Sequence, residues 1–252
     1  MSSQWPFPRV AAHRGGGTLA PENTMAGLRC ALAHGFHAVE FDVMLSQDSV
    51  PVLMHDEEFG RTVARSGSVA RTSAAALAAM DAGAWFAPDH SGERVPTYEQ
   101  AFEFCRSNQI WMNVEIKPAT GLARATGRVV AQTTLALLGA QQATPLLSSF
   151  SFEALQAAAE VAPQIPRGWL TDTIPLDWQD RLHALGATAL HTNQRHLTAA
   201  LAAAIKKAGF GLFCYTVNAP ERAIELLKWG VDGFCTDRID LISADFTLPL
   251  QA

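Results

Sequence analysis

Short apolar runs alternate with segments of helical apolar spacing along most of the chain. Eight of the runs predict strands, at 9–12, 38–45, 110–116, 145–150, 166–170, 189–192, 211–217 and 233–236. The segments between them predict helices, among them 23–34, 97–107, 151–162, 178–185, 199–208 and 220–229. This alternation indicates a parallel sheet, and eight strands are the number that closes a barrel. We therefore predict an α/β fold of the (β/α)8 TIM type; the open doubly wound alternative lacks a G-x-G-x-x-G turn near the start.

The segment 57–95 interrupts this alternation. It follows an additional strand-like run at 51–54 and is rich in Gly, Ser and Ala. Loops of this length inside a compact domain are usually functional, often as lids or binding caps. The sequence therefore predicts one domain over 1–252 that contains an inserted capping subdomain at 57–95.

Composition limits the classes of function. The chain has 252 residues, 48% of them hydrophobic, which is enough for one sizeable core. The net charge of −5 gives no reason to expect nucleic acid as a partner, since that binding depends on Lys and Arg neutralising phosphates. A small anionic substrate stays compatible with this balance, because one local cluster of basic groups suffices to bind it.

The cysteines and the N-terminus bear on the compartment. Four widely spaced cysteines suggest neither a disulfide framework nor a zinc site: Cys30, Cys105, Cys214 and Cys235. The first ten residues lack the pattern of a signal peptide, and no apolar run reaches the length that spans a membrane. We therefore expect a cytoplasmic protein without membrane insertion, and the sequence leaves open whether it forms a homo-oligomer.

Carboxylates recur at two neighbouring predicted strands. Residues two apart in a strand point to the same face, so Glu40 and Asp42 project together, as do Glu115 and Lys117. Three carboxylates from adjacent strand ends form an oxygen-rich cluster suited to a hard divalent cation, Mg²⁺ or Ca²⁺. The alternative is a set of plain ion pairs, between Glu115 and Lys117 and between an arginine and Glu40 or Asp42. The spacing alone does not decide between them.

Two histidines follow predicted strands, where catalytic groups of barrels lie. His13 comes directly after the first strand, and His55 ends the run at 51–54. A pair of histidines beside carboxylates is what acid–base hydrolysis near neutral pH requires. The glycine bend at 15–17 either lets the backbone approach a phosphate or simply turns the chain, and Asn23 is a candidate N-cap of the first helix.

A set of short motifs covers nearly the whole chain. In chain order they are His13-Arg14-Gly15, Pro21-Glu22-Asn23-Thr24, Glu40-Phe41-Asp42-Val43, His55-Asp56, Asp81-Ala82-Gly83, Glu115-Ile116-Lys117, Ser149-Phe150, Tyr215-Thr216-Val217-Asn218, Gly230-Val231-Asp232-Gly233 and Thr236-Asp237. Together they resemble the glycerophosphodiester phosphodiesterase family, most closely its compact cytosolic bacterial members.

The resemblance implies hydrolysis of glycerophosphodiesters to sn-glycerol 3-phosphate and an alcohol. It assigns the divalent cation to Glu40, Asp42 and Glu115, acid–base catalysis to His13 and His55, phosphate binding to Arg14 and Lys117, and part of the pocket wall to Tyr215. We take His13 as the base and His55 as the acid. The nucleophile is either the glycerol 2-hydroxyl, which would give a cyclic phosphate, or a water molecule.

Two alternative functions are compatible with part of these predictions. The same barrel and cation could cleave a lysophospholipid, but that needs a membrane-facing surface, and no basic amphipathic helix stands out. A non-catalytic binder of phosphorylated metabolites would use Arg14, Lys117 and the glycine bend. Both histidines of the acid–base pair are present, which favours the enzyme.

Overall fold

A computed structural model describes residues 5–139 and 144–248 of the chain. The strands in these ranges are β1 (Val10–Ala12), β2 (Ala38–Leu45), β3 (Pro51–Leu53), β4 (Trp111–Ile116), β5 (Leu146–Ser149), β6 (Arg167–Thr171), β7 (Ala189–Asn193), β8 (Gly211–Tyr215) and β9 (Gly233–Thr236). The helices are α1 (Met25–Ala33), α2 (Ala74–Leu77), α3 (Tyr98–Ser107), α4 (Ala123–Leu138), α5 (Phe152–Val161), α6 (Trp178–Leu185), α7 (Ala199–Lys207) and α8 (Pro220–Lys228).

Eight parallel strands close into a barrel, which confirms the predicted (β/α)8 fold. The order around the barrel is β1, β2, β4, β5, β6, β7, β8 and β9, and β9 pairs with β1 to complete the ring. Strand β3, the additional run, pairs antiparallel with the end of β2. Because the barrel strands are parallel, their carboxyl ends all meet at one mouth.

Most boundaries differ from the prediction by one or two residues, and one helix was missed. Strand β8 ends at Tyr215, two residues before the predicted end. Helix α1 begins at Met25, and its N-cap is Thr24, whose hydroxyl accepts a hydrogen bond from the Gly27 amide. Helix α4 was not among the helices named from the sequence.

Helix α4 contains a glycine, Gly127, in its interior because the helix packs closely against α5. A Cβ atom placed on Gly127 would lie 2.0 Å from the carbonyl oxygen of Ala154, so only glycine allows this approach. A glycine in a helix interior is unfavourable for helix formation, so Gly127 is retained there for packing and not for helix propensity.

The insertion has a small core of its own. Val63, Val69, Leu77 and Met80 are buried there and pack with Met54 and other residues of the β2–β3 region. A turn follows in which Asp81 accepts hydrogen bonds from the backbone amides of residues 83, 84 and 92. The expected role of 57–95 as a cap stays a prediction. None of the helices within 5–139 and 144–248 combines the length and the hydropathy that a membrane span requires.

Candidate active site

One cavity at the mouth of the barrel brings the predicted site residues together. It has a volume of about 170 Å³, and the eight residues singled out from the sequence all line it: His13, Arg14, Glu40, Asp42, His55, Glu115, Lys117 and Tyr215. A larger cavity of about 1230 Å³ lies at the other end of the barrel, around Trp5 and Phe7. Its described lining contains no carboxylate, so the smaller cavity is the candidate for chemistry.

The three predicted carboxylates form a compact cluster. Each of Glu40, Asp42 and Glu115 offers an oxygen that lies within 4.8 Å of the others, and Asp42 and Glu115 are register partners on β2 and β4. Burial, followed by the charge of Asp42, raises the pKa of Glu40 to about 7 and that of Glu115 to about 8. Such shifts mean that the described protein groups do not fully compensate the negative charge. The donor set therefore fits a hard divalent cation.

Ion pairs also exist at this cluster, but they are centred on Asp42. Lys117 Nζ lies 3.1 Å from Asp42 Oδ1 and 3.5 Å from Glu115 Oε1, and Arg14 Nε lies 3.6 Å from Asp42 Oδ2. Burial would raise the pKa of Asp42, but Lys117 and Arg14 outweigh burial and hold that pKa below its usual value. Both pairs of the ion-pair interpretation are therefore present, Lys117 with Glu115 and Arg14 with Asp42, but they do not prevent the rise in the pKa values of Glu40 and Glu115.

Asn23 holds Asp42 rather than capping a helix. Its amide nitrogen donates to Asp42 Oδ2 at 2.8 Å, and its amide oxygen accepts from the Asp42 backbone N–H at 3.0 Å. The N-cap expectation for Asn23 was therefore wrong by one position, because Thr24 takes that role. The double contact fixes both the strand and the carboxylate of Asp42.

His13 lies between Glu40, one of the three clustered carboxylates, and a second acid, Asp237. Its Nδ1 is 2.6 Å from Asp237 Oδ1, and its Nε2 is 3.8 Å from Glu40 Oε2. Asp237 is held in turn by Asn218, which donates to it at 2.8 Å and accepts from its backbone amide at 2.8 Å. Burial lowers the pKa of His13, but the hydrogen bond to Asp237 and the charge of Glu40 outweigh burial, so the pKa lies above its usual value.

The glycine bend packs against the same acid. A Cβ atom on Gly17, whose φ is +56°, would lie 2.2 Å from the Asp237 carbonyl oxygen. The positive φ and the close packing explain why a glycine is present at this position. They support the interpretation of the glycine bend as a turn of the chain.

His55 has a similar arrangement with a different acid. Its Nδ1 is 2.6 Å from Asp56 Oδ1. Burial lowers the pKa of His55, while the charges of Asp42 on one side and of Arg14 and Lys117 on the other act in opposite directions. Each predicted catalytic histidine therefore contacts a carboxylate through Nδ1.

A network of charged side chains runs beside the cavity. Glu22 accepts from Arg14 Nη1 at 3.0 Å and from Arg61 Nη1 and Nη2 at 2.7 Å each. Arg61 Nε donates to Asp56 Oδ2 at 2.6 Å. Burial would raise the pKa values of Glu22 and Asp56, but the hydrogen bonds from Arg61 outweigh it; the pKa of Asp56 falls to about 2.

Aromatic side chains form another part of the cavity wall. Tyr215 and Phe150 meet edge to face with their ring centroids 5.6 Å apart, and Phe150 is 48% exposed. The Tyr215 hydroxyl is buried without a hydrogen-bond partner among the described groups, and burial raises the pKa of this phenol. The mouth thus has a charged half, at β1, β2 and β4, and an aromatic half.

The sequence analysis missed Asp237, Asn218, Asp56, Glu22, Asn23 and Arg61 as site residues, although all but Arg61 lie in quoted motifs. A signal was available for Asp237, since it follows the last barrel strand and barrel closure makes that strand a neighbour of β1. Arg61 carried no such signal.

A barrel mouth with three carboxylates, two histidines and two basic residues defines a hydrolase site suited to phosphate esters. The model of the glycerophosphoryl diester phosphodiesterase family matches residues 13–241. The chain belongs to this family, as its motifs predicted.

Relatives and solved structures agree over nearly the full length. The chain is 31% identical to the YhdW protein of Bacillus subtilis, over 94% of this chain and 97% of the relative. It is 31% identical to a glycerophosphodiester phosphodiesterase of Caldanaerobacter subterraneus, over 90% and 93% of the two chains. A phosphodiesterase from Oleispira antarctica, solved in complex with the product sn-glycerol-3-phosphate, has a TM-score of 0.90 and 35% identity, and the match covers 97% of this chain and 99% of that one.

Proposed function

We propose that this phosphodiesterase uses one divalent cation to hydrolyse glycerophosphodiesters such as glycerophosphocholine and glycerophosphoethanolamine, and releases sn-glycerol 3-phosphate and an alcohol. The observation that carries the proposal is the three-carboxylate cluster in a cavity that two histidines and two basic residues also line. The product bound to the Oleispira antarctica phosphodiesterase supports the choice of substrate.

Glu40, Asp42 and Glu115 would hold the cation, either Mg²⁺ or Ca²⁺. Both ions prefer oxygen ligands, and the raised pKa values of the two glutamates are the mark of an uncompensated cluster. When bound, such an ion neutralises charge on the phosphoryl oxygens and lowers the pKa of a coordinated hydroxyl.

Arg14 and Lys117 would bind the phosphate. Arg14 Nη1 is engaged by Glu22 and its Nε lies 3.6 Å from Asp42 Oδ2, so the guanidinium is held beside the carboxylate cluster in the cavity wall. Lys117 adds a positive charge 3.1 Å from Asp42. A guanidinium and an ammonium on one side of the cavity suit an anionic diester.

His13 and His55 would transfer the protons of the reaction. With Nδ1 of each ring on a carboxylate, the Nε2 atoms are left for the substrate. We propose His13 as base and His55 as acid. A cation on Glu40 would offset part of the charge that raises the pKa of His13, so the pKa directions do not decide the assignment. Either the glycerol 2-hydroxyl or water would be the nucleophile.

The insertion at 57–95 would cap the site at the glycerol end, and Tyr215 would line the pocket on the aromatic half. The products belong to lipid and glycerol metabolism, for which we propose a cytoplasmic location. These assignments rest on the resemblance and on the position of Tyr215 in the cavity wall.

The decisive experiment measures glycerol 3-phosphate release from glycerophosphocholine by metal-stripped protein, with Mg²⁺ or Ca²⁺ added back. We expect activity to return with at least one ion, and the Glu40→Gln variant to stay inactive. Glu58→Gln, which changes an exposed glutamate outside the cluster, is the matched control. A folded protein that releases no glycerol 3-phosphate with either ion, from substrates with several head groups, would refute the proposal. Activity on lysophosphatidylcholine alone would favour the lysolipid alternative.

A further inference from the structure

Arg61 lies in the insertion, outside the set of residues assigned to catalysis. All of its nitrogen atoms donate to carboxylates: Nη1 and Nη2 to the two oxygens of Glu22 at 2.7 Å each, and Nε to Asp56 at 2.6 Å. One planar guanidinium thus joins the loop after β1 to the segment after β3. A lysine could not reproduce this geometry, because an ammonium is a point charge without a fork.

Each acid that Arg61 holds contacts a residue of the proposed machinery. Asp56 contacts His55 Nδ1 at 2.6 Å through Oδ1, while Oδ2 receives Arg61. Glu22 Oε1 accepts from Arg14 Nη1 at 3.0 Å. Two short chains therefore start at Arg61, and one ends at an acid–base histidine while the other ends at a phosphate-binding arginine.

The insertion holds Arg61 from the other side. Its guanidinium carbon lies 6.0 Å from the centre of the Trp85 ring, whose Nε1 donates to the Ala82 carbonyl at 2.8 Å. The turn closed by Asp81 fixes this part of the backbone. The insertion thereby supplies a fixed cation at the edge of the mouth.

We infer that Arg61 is a positioning residue through which the insertion sets both the ring of His55 and the guanidinium of Arg14. The inference rests on the proposed function of those two residues. It assigns the insertion a role in assembling the site, in addition to shaping its entrance. Outer partners that orient functional groups typically affect activity by about 10- to 100-fold.

The test separates the two chains by kinetics on glycerophosphocholine. Asp56→Asn should lower kcat with little change in KM, because Asp56 contacts His55 directly while Arg14 keeps its hydrogen bond to Glu22. Glu22→Gln should mainly raise KM, because it releases Arg14. Arg61→Gln should do both, with a loss in kcat/KM of about 10- to 100-fold. Arg65→Gln, an exposed arginine four residues along the insertion, is the matched control and should behave as wild type.

The Arg61→Lys variant retains the charge and guards against a folding defect in Arg61→Gln. Kinetics of either folded Arg61 variant within about twofold of wild type, below the range expected for an orienting partner, would overturn the inference. A spectroscopic measurement separates it from the proposed function. The ¹⁵N signals of the His55 imidazole should move in Arg61→Gln without substrate, and not in Arg65→Gln. His55 signals that are unchanged in both variants would also overturn the inference. If the His55 signals move in Arg61→Gln but the wild-type protein itself has no activity on glycerophosphocholine, the inference stands and the proposed function is wrong.

Discussion

His191 should make the stability of the barrel depend on pH. The residue lies on β7 inside the barrel, is fully buried and packs against Phe213 with ring centroids 4.8 Å apart. Its ring fills the space beside Gly168, where a Cβ atom would lie 2.4 Å from Nε2. Neither ring nitrogen has a hydrogen-bond partner among the described groups, so nothing described there stabilises a charged ring.

The size of the effect follows from proton linkage. Burial lowers the pKa of His191 from its usual 6.5 to about 3. Between these two values the unfolded chain binds a proton that the folded protein does not, so the free energy of unfolding falls as the pH falls. Each unit below 6.5 costs about 1.4 kcal/mol, which gives roughly 2 kcal/mol at pH 5 and almost nothing at pH 7.5.

The assay is urea unfolding of wild type and of His191→Gln, followed by tryptophan fluorescence at pH 7.5 and pH 5. Other groups titrate too, so the quantity of interest is the difference between the two proteins. Whatever the offset at pH 7.5, wild type should lose about 2 kcal/mol more than the variant on going to pH 5. His183→Gln, at an exposed position on α6, is the matched control. Parallel pH dependence of wild type and His191→Gln would show that the ring accepts a proton in the folded barrel and would refute the reasoning.

Three further predictions concern the site. Glu115→Gln should weaken Mg²⁺ or Ca²⁺ binding in calorimetry by more than about 100-fold, since even outer partners of metal ligands contribute 10- to 100-fold; binding equal to wild type would remove Glu115 from the ligand set. His13→Ala and His55→Ala should each lower kcat by about 10²–10⁴ with the fold intact by circular dichroism, and near-normal turnover would exclude that histidine from proton transfer. Asp237→Asn should lower kcat with little change in KM, because the carboxylate orients His13, whereas the exposed Asp240→Asn should not; equal kinetics in the two would show that Asp237 has no part in orienting the ring.

The barrel and the carboxylate cluster could be predicted because both follow from short-range spacing. The strand period of two places Glu40 and Asp42 on one face, and the pairing of β2 with β4 puts Glu115 beside Asp42. The prediction that Asn23 caps the first helix was wrong because an asparagine near a helix start can have either of two roles. The same amide that caps a helix can hold a buried carboxylate, and only the path of the chain decides which.

The residues that orient the site differ in how far they could be foreseen. His13 and Asp237 are 224 positions apart, yet closure of an eight-stranded ring makes β1 and β9 neighbours, so the correct fold predicts this pair in a second step. Arg61 and Glu22 are 39 positions apart, and their contact depends on the course of a non-periodic insertion. No hydrophobic period fixes such a course, because it is set by local turns such as the one at Asp81. In this chain the groups proposed for chemistry stand on or directly after strands and can be inferred from periodicity, whereas Arg61, which holds their partners, lies in a loop and becomes visible only when the three-dimensional contacts are known.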